Sequence, residues 1–207
     1  MTKRDLPESD HPSGPSTRIM LVDDQPARAA ILEQALIDAG CEVIARLSSA
    51  QGLMKKVVEH QPDVIIIDIE SPDRDMLEHM TVLNQHNPKP VIMFSDEDDP
   101  ATIEKAVRAG VSAYVVDGLN PSRVKSIMAV AVARFREFQA LRGELEKTRN
   151  QLQDRRLMDE AKAILMKQKN MTEDEAYHAM RKMAMDRGQR LTDVARNIIS
   201  VMNLLNG

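Results

Sequence analysis

Between Pro121 and Lys169 the chain runs for about fifty residues with no further proline and a single glycine, Gly143. Proline suits the first turn of a helix, where its missing N–H is no loss, and nearly all that follows is a good helix former. At about 1.5 Å per residue such a helix would reach roughly 70 Å, more than one compact domain can cover along its length. The expectation is a rod that joins two things.

Within it, Val124, Met128, Ala131, Phe135, Phe138, Leu145 and Leu152 recur at steps of three and four, or of seven, with Arg142, Arg149 and Arg156 in the intervening heptad positions. This seam predicts a parallel two-chain coiled coil, hence a homodimer, that loosens toward its C-terminal end. The alternative is one amphipathic helix lying on its own domain. Leu141 beside the seam widens the stripe beyond what the few flanking segments could bury, which favours pairing.

The 207 residues leave room for one domain of ordinary size and a small second one. Aromatic residues are only 2% and tryptophan is absent, so stacking on exposed bases is not expected as the main chemistry. The single cysteine, Cys41, rules out a disulfide within the chain; it reads as a buried strand residue in a reducing cytoplasm. No apolar run approaches the roughly 20 residues of a membrane span, and no signal-peptide pattern opens the chain. Charge is divided unevenly: residues 1–120 hold 11 Lys and Arg against 21 Asp and Glu, whereas 121–207 hold 17 against 11. An acidic head on a basic helical tail points to a regulated module joined to one that binds a polyanion, with nucleic acid the obvious candidate.

Residues 1–16, with three prolines and almost nothing apolar, read as a disordered leader. From Thr17 short apolar runs alternate with helical patterns. Strands are expected at Ile19–Val22, Cys41–Leu47, Val64–Ile67, Val91–Phe94 and Ala113–Val116, with helices over 26–39, about 50–60, 74–86 and 100–109. Five strands alternating with helices, several of them continuous β-branched runs, predict a doubly wound α/β domain with a five-stranded parallel sheet, for which the opening of the rod supplies the fifth helix.

In such a sheet the cleft lies at the carboxyl ends of the strands. Asp23 and Asp24 end the first strand, Asp68 the third and Ser95 the fourth. Three converging carboxylates repel one another unless a cation sits among them, and hard oxygen ligands suit Mg²⁺, so Asp23, Asp24 and Asp68 are candidate metal ligands. Asp68 is then a candidate phosphoacceptor, with Ser95 placed to bond a phosphoryl oxygen. No second catalytic constellation is present, so an enzyme is not expected.

These four positions resemble the hallmark residues of the two-component receiver family, over residues 17–120, and Tyr114 falls where that family keeps its switch aromatic. The family's lysine after the fifth strand is replaced by Asp117, which adds repulsion where neutralisation is needed. With the acidic loop IESPDRDMLEHM after Asp68, this makes the expected receiver a docking module controlled by a protein rather than by a kinase.

After a linker over 121–153, residues 154–207 read as a small three-helix bundle. Asn170 and Met171 form a break, Thr172 and Glu175 fit a capping box, and Ala176, Tyr177, Met180, Met183 and Ala184 are expected in the core of a helix that stops at Gly188. A last helix from Leu191 carries only one basic residue, Arg196, and reads as core rather than as a DNA-recognition helix. Arg155, Lys162, Arg181, Arg187, Gln189 and Arg190 are the expected exposed polar face, able to neutralise phosphates and read base edges.

The text LMDEAKAILMKQKNMTEDEAYHAMRKMAMDRGQRLTDVARNII resembles the ANTAR family of RNA-binding antitermination modules. The resemblance implies binding to leader-RNA hairpins so that a terminator does not form, with Ala161, Lys162, Arg181 and Arg190 near the RNA. Over the whole chain it is similar to the nitrate-assimilation members, which implies nitrate or nitrite assimilation genes as targets and a nitrate-sensing protein as inhibitory partner. A phosphorylation-driven DNA-binding regulator and a pure interaction adaptor are the competing readings.

Overall fold

The computed structural model describes residues 16–116 and 121–206. Residues 1–15 of the expected leader, and Asp117, lie outside the described residues. Two compact units divide between Phe138 and Gln139.

The first unit alternates strand and helix: β1 (Arg18–Asp23), α1 (Pro26–Asp38), β2 (Glu42–Leu47), α2 (Leu53–His60), β3 (Val64–Ile69), α3 (Arg74–His86), β4 (Val91–Ser95), α4 (Pro100–Arg108), β5 (Ala113–Val116) and the start of α5 (Pro121–Lys169). All pairings are parallel, in the order β2-β1-β3-β4-β5. Helices cover both faces, which is why the central strands read as unbroken apolar runs. The period of two sorts them: Met20, Val22, Ile65, Ile67 and Met93 pack under α2, α3 and α4. Ile19, Leu21, Ile66, Ile92 and Phe94 pack under α1 and the opening of α5.

Local signals end the elements where expected. Asp73 and Asp99 cap α3 and α4, accepting bonds from the N–H groups of Met76 at 2.7 Å and Thr102 at 3.0 Å. After α4 the chain turns at Gly110 with φ +105°, and a Cβ there would stand 2.6 Å from Cγ of Asn84, so only glycine fits. Cys41 is buried, but it precedes β2 instead of lying in it; its N–H closes α1 by donating to the Leu36 carbonyl at 2.9 Å.

The coiled-coil expectation needs one correction. Val124, Met128 and Ala131, the first three seam positions, are buried against the unit's own sheet, because α5 opens as the fifth covering helix. Of the later seam residues, Phe138, Leu145 and Leu152 are each more than half accessible, as is Leu141 beside them.

In the second unit the last turns of α5 pack with α6 (Glu173–Arg187) and α7 (Leu191–Asn206). Its small core is Ala161, Met180, Ala184, Val194 and Ala195, ringed by Leu157, Leu165, Met183, Ile198 and Ile199. Asn170, at φ 53°, makes the break after α5. Thr172 and Glu175 form the expected reciprocal capping box, and Gly188, in the left-handed region, ends α6. Tyr177 departs from expectation: it is 38% exposed, since Ala176 and Met180 take the inward positions of that turn.

Candidate functional site

Register brings the acids together. In the β1–β3 pairing Asp23 stands directly opposite Asp68, and neighbouring strands lie only about 4.8 Å apart. Asp68 is 1% exposed and Asp23 5%, whereas the Asp24 side chain remains 57% exposed. Burial pushes the Asp68 carboxyl up to about 6; Arg28 pulls against this, while Asp23, Asp96 and Asp24 add to it.

The cation among these carboxylates is a side chain. Arg28, in the first turn of α1, places Nε 3.0 Å from Asp68 Oδ2 and Nη2 3.5 Å from both Asp23 Oδ1 and Asp24 Oδ1. Nη2 also donates to the Asp68 backbone carbonyl at 3.2 Å. A cation in a helix's first turn meets the positive end of the dipole at a cost of about 0.3–1 kcal/mol, so only the carboxylates justify this placement. The Nε–Oδ2 approach is an ion pair without hydrogen-bond geometry: Arg28 Nε, Asp68 Oδ2 and Asp23 Oδ2 are all buried without a hydrogen-bond partner. Sequence reasoning missed Arg28. The signal available was a basic residue four positions after Asp24, at helical spacing.

The expected Mg²⁺ ligands therefore converge, but around a guanidinium. Among the described residues no three His, Cys, Asp or Glu side chains are grouped to enclose a metal ion. The place Mg²⁺ is expected to take among Asp23, Asp24 and Asp68 is filled in this arrangement by the Arg28 guanidinium.

Ser95 and Tyr114 meet on one loop residue. Ser95 Oγ donates to the Glu70 carbonyl at 2.8 Å and accepts from the Glu97 N–H at 3.2 Å, while the Tyr114 hydroxyl donates to the Glu97 carbonyl at 2.9 Å. Both polar groups of Glu97 are thus held, which ties β5 to the β4–α4 loop, while the Ser95 bond to Glu70 ties the end of β4 to the β3–α3 loop. Beside them Asp24, Glu70, Asp73 and Asp75 line an open, acidic cleft of about 460 Å³.

In the second unit Arg181, Arg187, Gln189 and Arg190 are exposed, the last three around the Gly188 turn. Arg155 is exposed with Asp159 at 4.0 Å. Two expected contacts are placed differently. Ala161 is fully buried in the small core, because its face of α5 meets α6 and α7. Lys162, with a side chain only 17% exposed, bridges Asp159 at 2.9 Å and Glu173 at 2.6 Å, bracing α5 to the first turn of α6. Tyr177, one turn before Arg181, is exposed where its helical spacing had pointed to the core.

A doubly wound sheet with paired acids at its carboxyl edge, followed by a small helical unit, defines a receiver coupled to an output module. Comparison with known proteins agrees. Residues 19–129 match the response regulator receiver domain, and residues 146–199 match the ANTAR domain. The chain belongs to the response-regulator family, as a member whose output module is an ANTAR domain.

It is 26% identical over 196 residues to the transcriptional regulatory protein PdtaR of Mycobacterium tuberculosis, covering 95% of this chain and 96% of that one. It is 36% identical over 80 residues to the nitrate regulatory protein of Klebsiella oxytoca, covering 39% of this chain and 20% of that one. Among solved structures, the receiver domain of the response regulator NarL from Mycobacterium tuberculosis superposes with a TM-score of 0.52 at 18% identity, over 57% of this chain and 97% of that one, a likeness of fold. Among the described residues no helix is long and apolar enough to cross a membrane.

Proposed function

We propose that this protein is a transcription antiterminator that binds leader-RNA hairpins through its C-terminal unit and so keeps a terminator from forming. The observation that carries this reading is the ANTAR match over 146–199, on a unit whose exposed surface includes Arg181, Arg187, Gln189 and Arg190. Those side chains can pair with phosphates and base edges in folded RNA. Tyr177 adds one stacking surface beside Arg181. Duplex DNA is the poorer ligand, because Arg196 of α7 is held by Asp193 at 3.2 Å.

On this reading the protein is a regulator rather than an enzyme. It acts as a homodimer joined through the exposed Leu141, Leu145 and Leu152 of α5. Its receiver answers to a protein: the acidic cleft beside Asp24 suits basic groups of a partner, and Asp117 replaces the lysine on which phosphoryl chemistry in the family depends. The likeness to the nitrate regulatory protein supports nitrate or nitrite assimilation genes as targets and a nitrate-sensing inhibitor as that partner.

Filter binding tests the core of the reading. Tight, salt-sensitive binding to hairpin RNA with weak binding to duplex DNA of equal length is expected. A monomer indifferent to hairpins at every ionic strength would overturn it.

A further inference from the structure

The receiver pocket is charge-compensated from within. One guanidinium reaches all three carboxylates, at 3.0 Å from Asp68 and 3.5 Å from Asp23 and Asp24, and also holds the Asp68 carbonyl. A divalent ion bound by these acids would occupy the same few ångströms as Nε and Nη2 and would face a full like charge there. Both cannot be accommodated. Arg28 can leave, however: its side chain is 26% exposed and Asp24, its outermost partner, is 57% exposed, so a path to solvent lies open on that side. Asp23 Oδ2 and Asp68 Oδ2, buried and without hydrogen-bond partners, would then be available to another cation.

We propose that Arg28 is the pocket's resident counter-ion, occupying the place among Asp23, Asp24 and Asp68 where a divalent ion would otherwise sit, so that metal enters only by displacing it. The receiver is then assembled without metal, and any phosphoryl chemistry at Asp68 has to wait for Arg28 to swing out. This concerns the first unit alone and does not depend on the RNA reading.

The test titrates the full chain with Mn²⁺ and follows the EPR signal of the free ion. Arg28→Gln removes the charge while keeping an amide in the same space. Its affinity for Mn²⁺ is expected to exceed that of the unsubstituted protein about tenfold or more, a difference of about 1.4 kcal/mol or above. Adding Asp24→Asn to Arg28→Gln is expected to weaken binding again, which places the ion in this pocket. Equal affinity with and without Arg28, or weaker binding by Arg28→Gln, would overturn the proposal.

Should Arg28→Gln be unfolded without metal, recovery of its circular dichroism spectrum on adding Mn²⁺ supports the proposal. Should it stay unfolded, Arg28→Lys decides. A compact ammonium cannot span three carboxylates, so this variant is expected to bind Mn²⁺ more tightly than the unsubstituted protein, and identical affinity would overturn the assignment.

Discussion

Arg28 Nε lies 3.0 Å from Asp68 Oδ2 without donating a hydrogen bond to it. The attraction is therefore Coulombic and incomplete, and burial still dominates the carboxyl, holding its pKa at about 6 against an ordinary 3.8.

That shift sets a pH dependence. The folded state binds the Asp68 proton more tightly than the unfolded chain does. The stabilisation this provides is full below about pH 3.8 and is lost as pH rises through about 6. By pH 7 the loss amounts to about 3 kcal/mol of stability, as an order of magnitude. Asp68→Asn removes it: urea unfolding should show the variant more stable at pH 7, with a flatter profile between about pH 4 and 6. Parallel profiles for the two proteins would refute the assignment.

For RNA, Arg181→Ala combined with Arg190→Ala should weaken hairpin binding and lower the slope of log affinity against log salt by about one to two, since each phosphate contact contributes about 0.7–0.9. Tyr177→Ala should weaken binding while leaving that slope unchanged. If the double arginine variant keeps both affinity and slope, the contact face lies elsewhere.

Lys162→Ala should behave as a stability variant. Its ammonium is held by Asp159 and Glu173, so the expected outcome is a lower melting temperature of the C-terminal unit, with a salt slope for RNA like that of the unsubstituted protein. A reduced slope with unchanged melting would instead make it an RNA contact.

Thr172→Ala removes one half of the capping box, in which Thr172 Oγ1 accepts from the Glu175 N–H at 3.3 Å and Glu175 Oε2 accepts from the Thr172 N–H at 2.8 Å. Loss of about 1 kcal/mol is expected in chemical denaturation of the C-terminal unit. The small core there has little else to compensate.

Pairing along α5 is tested at Leu145, which is 69% exposed. Leu145→Glu places two like charges at the seam of a parallel dimer, and sedimentation velocity should then report a monomer. The receiver keeps its fold, because its own contacts with α5 are made by Val124, Met128 and Ala131.

Much of the architecture is legible in the order of residues. Strands announce themselves as β-branched runs, α5 as a helix with a start and no stop, and α6 by Thr172, Glu175 and Gly188, because each of these signals acts within a few residues along the chain. Periodicity misleads where one stripe serves two purposes. Val124, Met128 and Ala131 continue the same heptad as Leu145 and Leu152, yet the sheet claims them, and nothing local distinguishes burial within a chain from burial between two. Ala161 and Tyr177 depart from expectation for a related reason: which face of a helix turns inward depends on which neighbours arrive.

What the amino-acid order determined by itself is the set of elements and the identity of the charged groups: four polar side chains at strand ends, a basic tail, and a rod between. What tertiary structure decided is how those groups are paired. Strand register set Asp23 opposite Asp68, and the packing of α1 on the sheet brought Arg28 among the carboxylates. Local propensity acts through bonds a few residues apart, whereas the neutralisation of a buried charge depends on whatever residue, near or far in sequence, the fold carries to within about 4 Å.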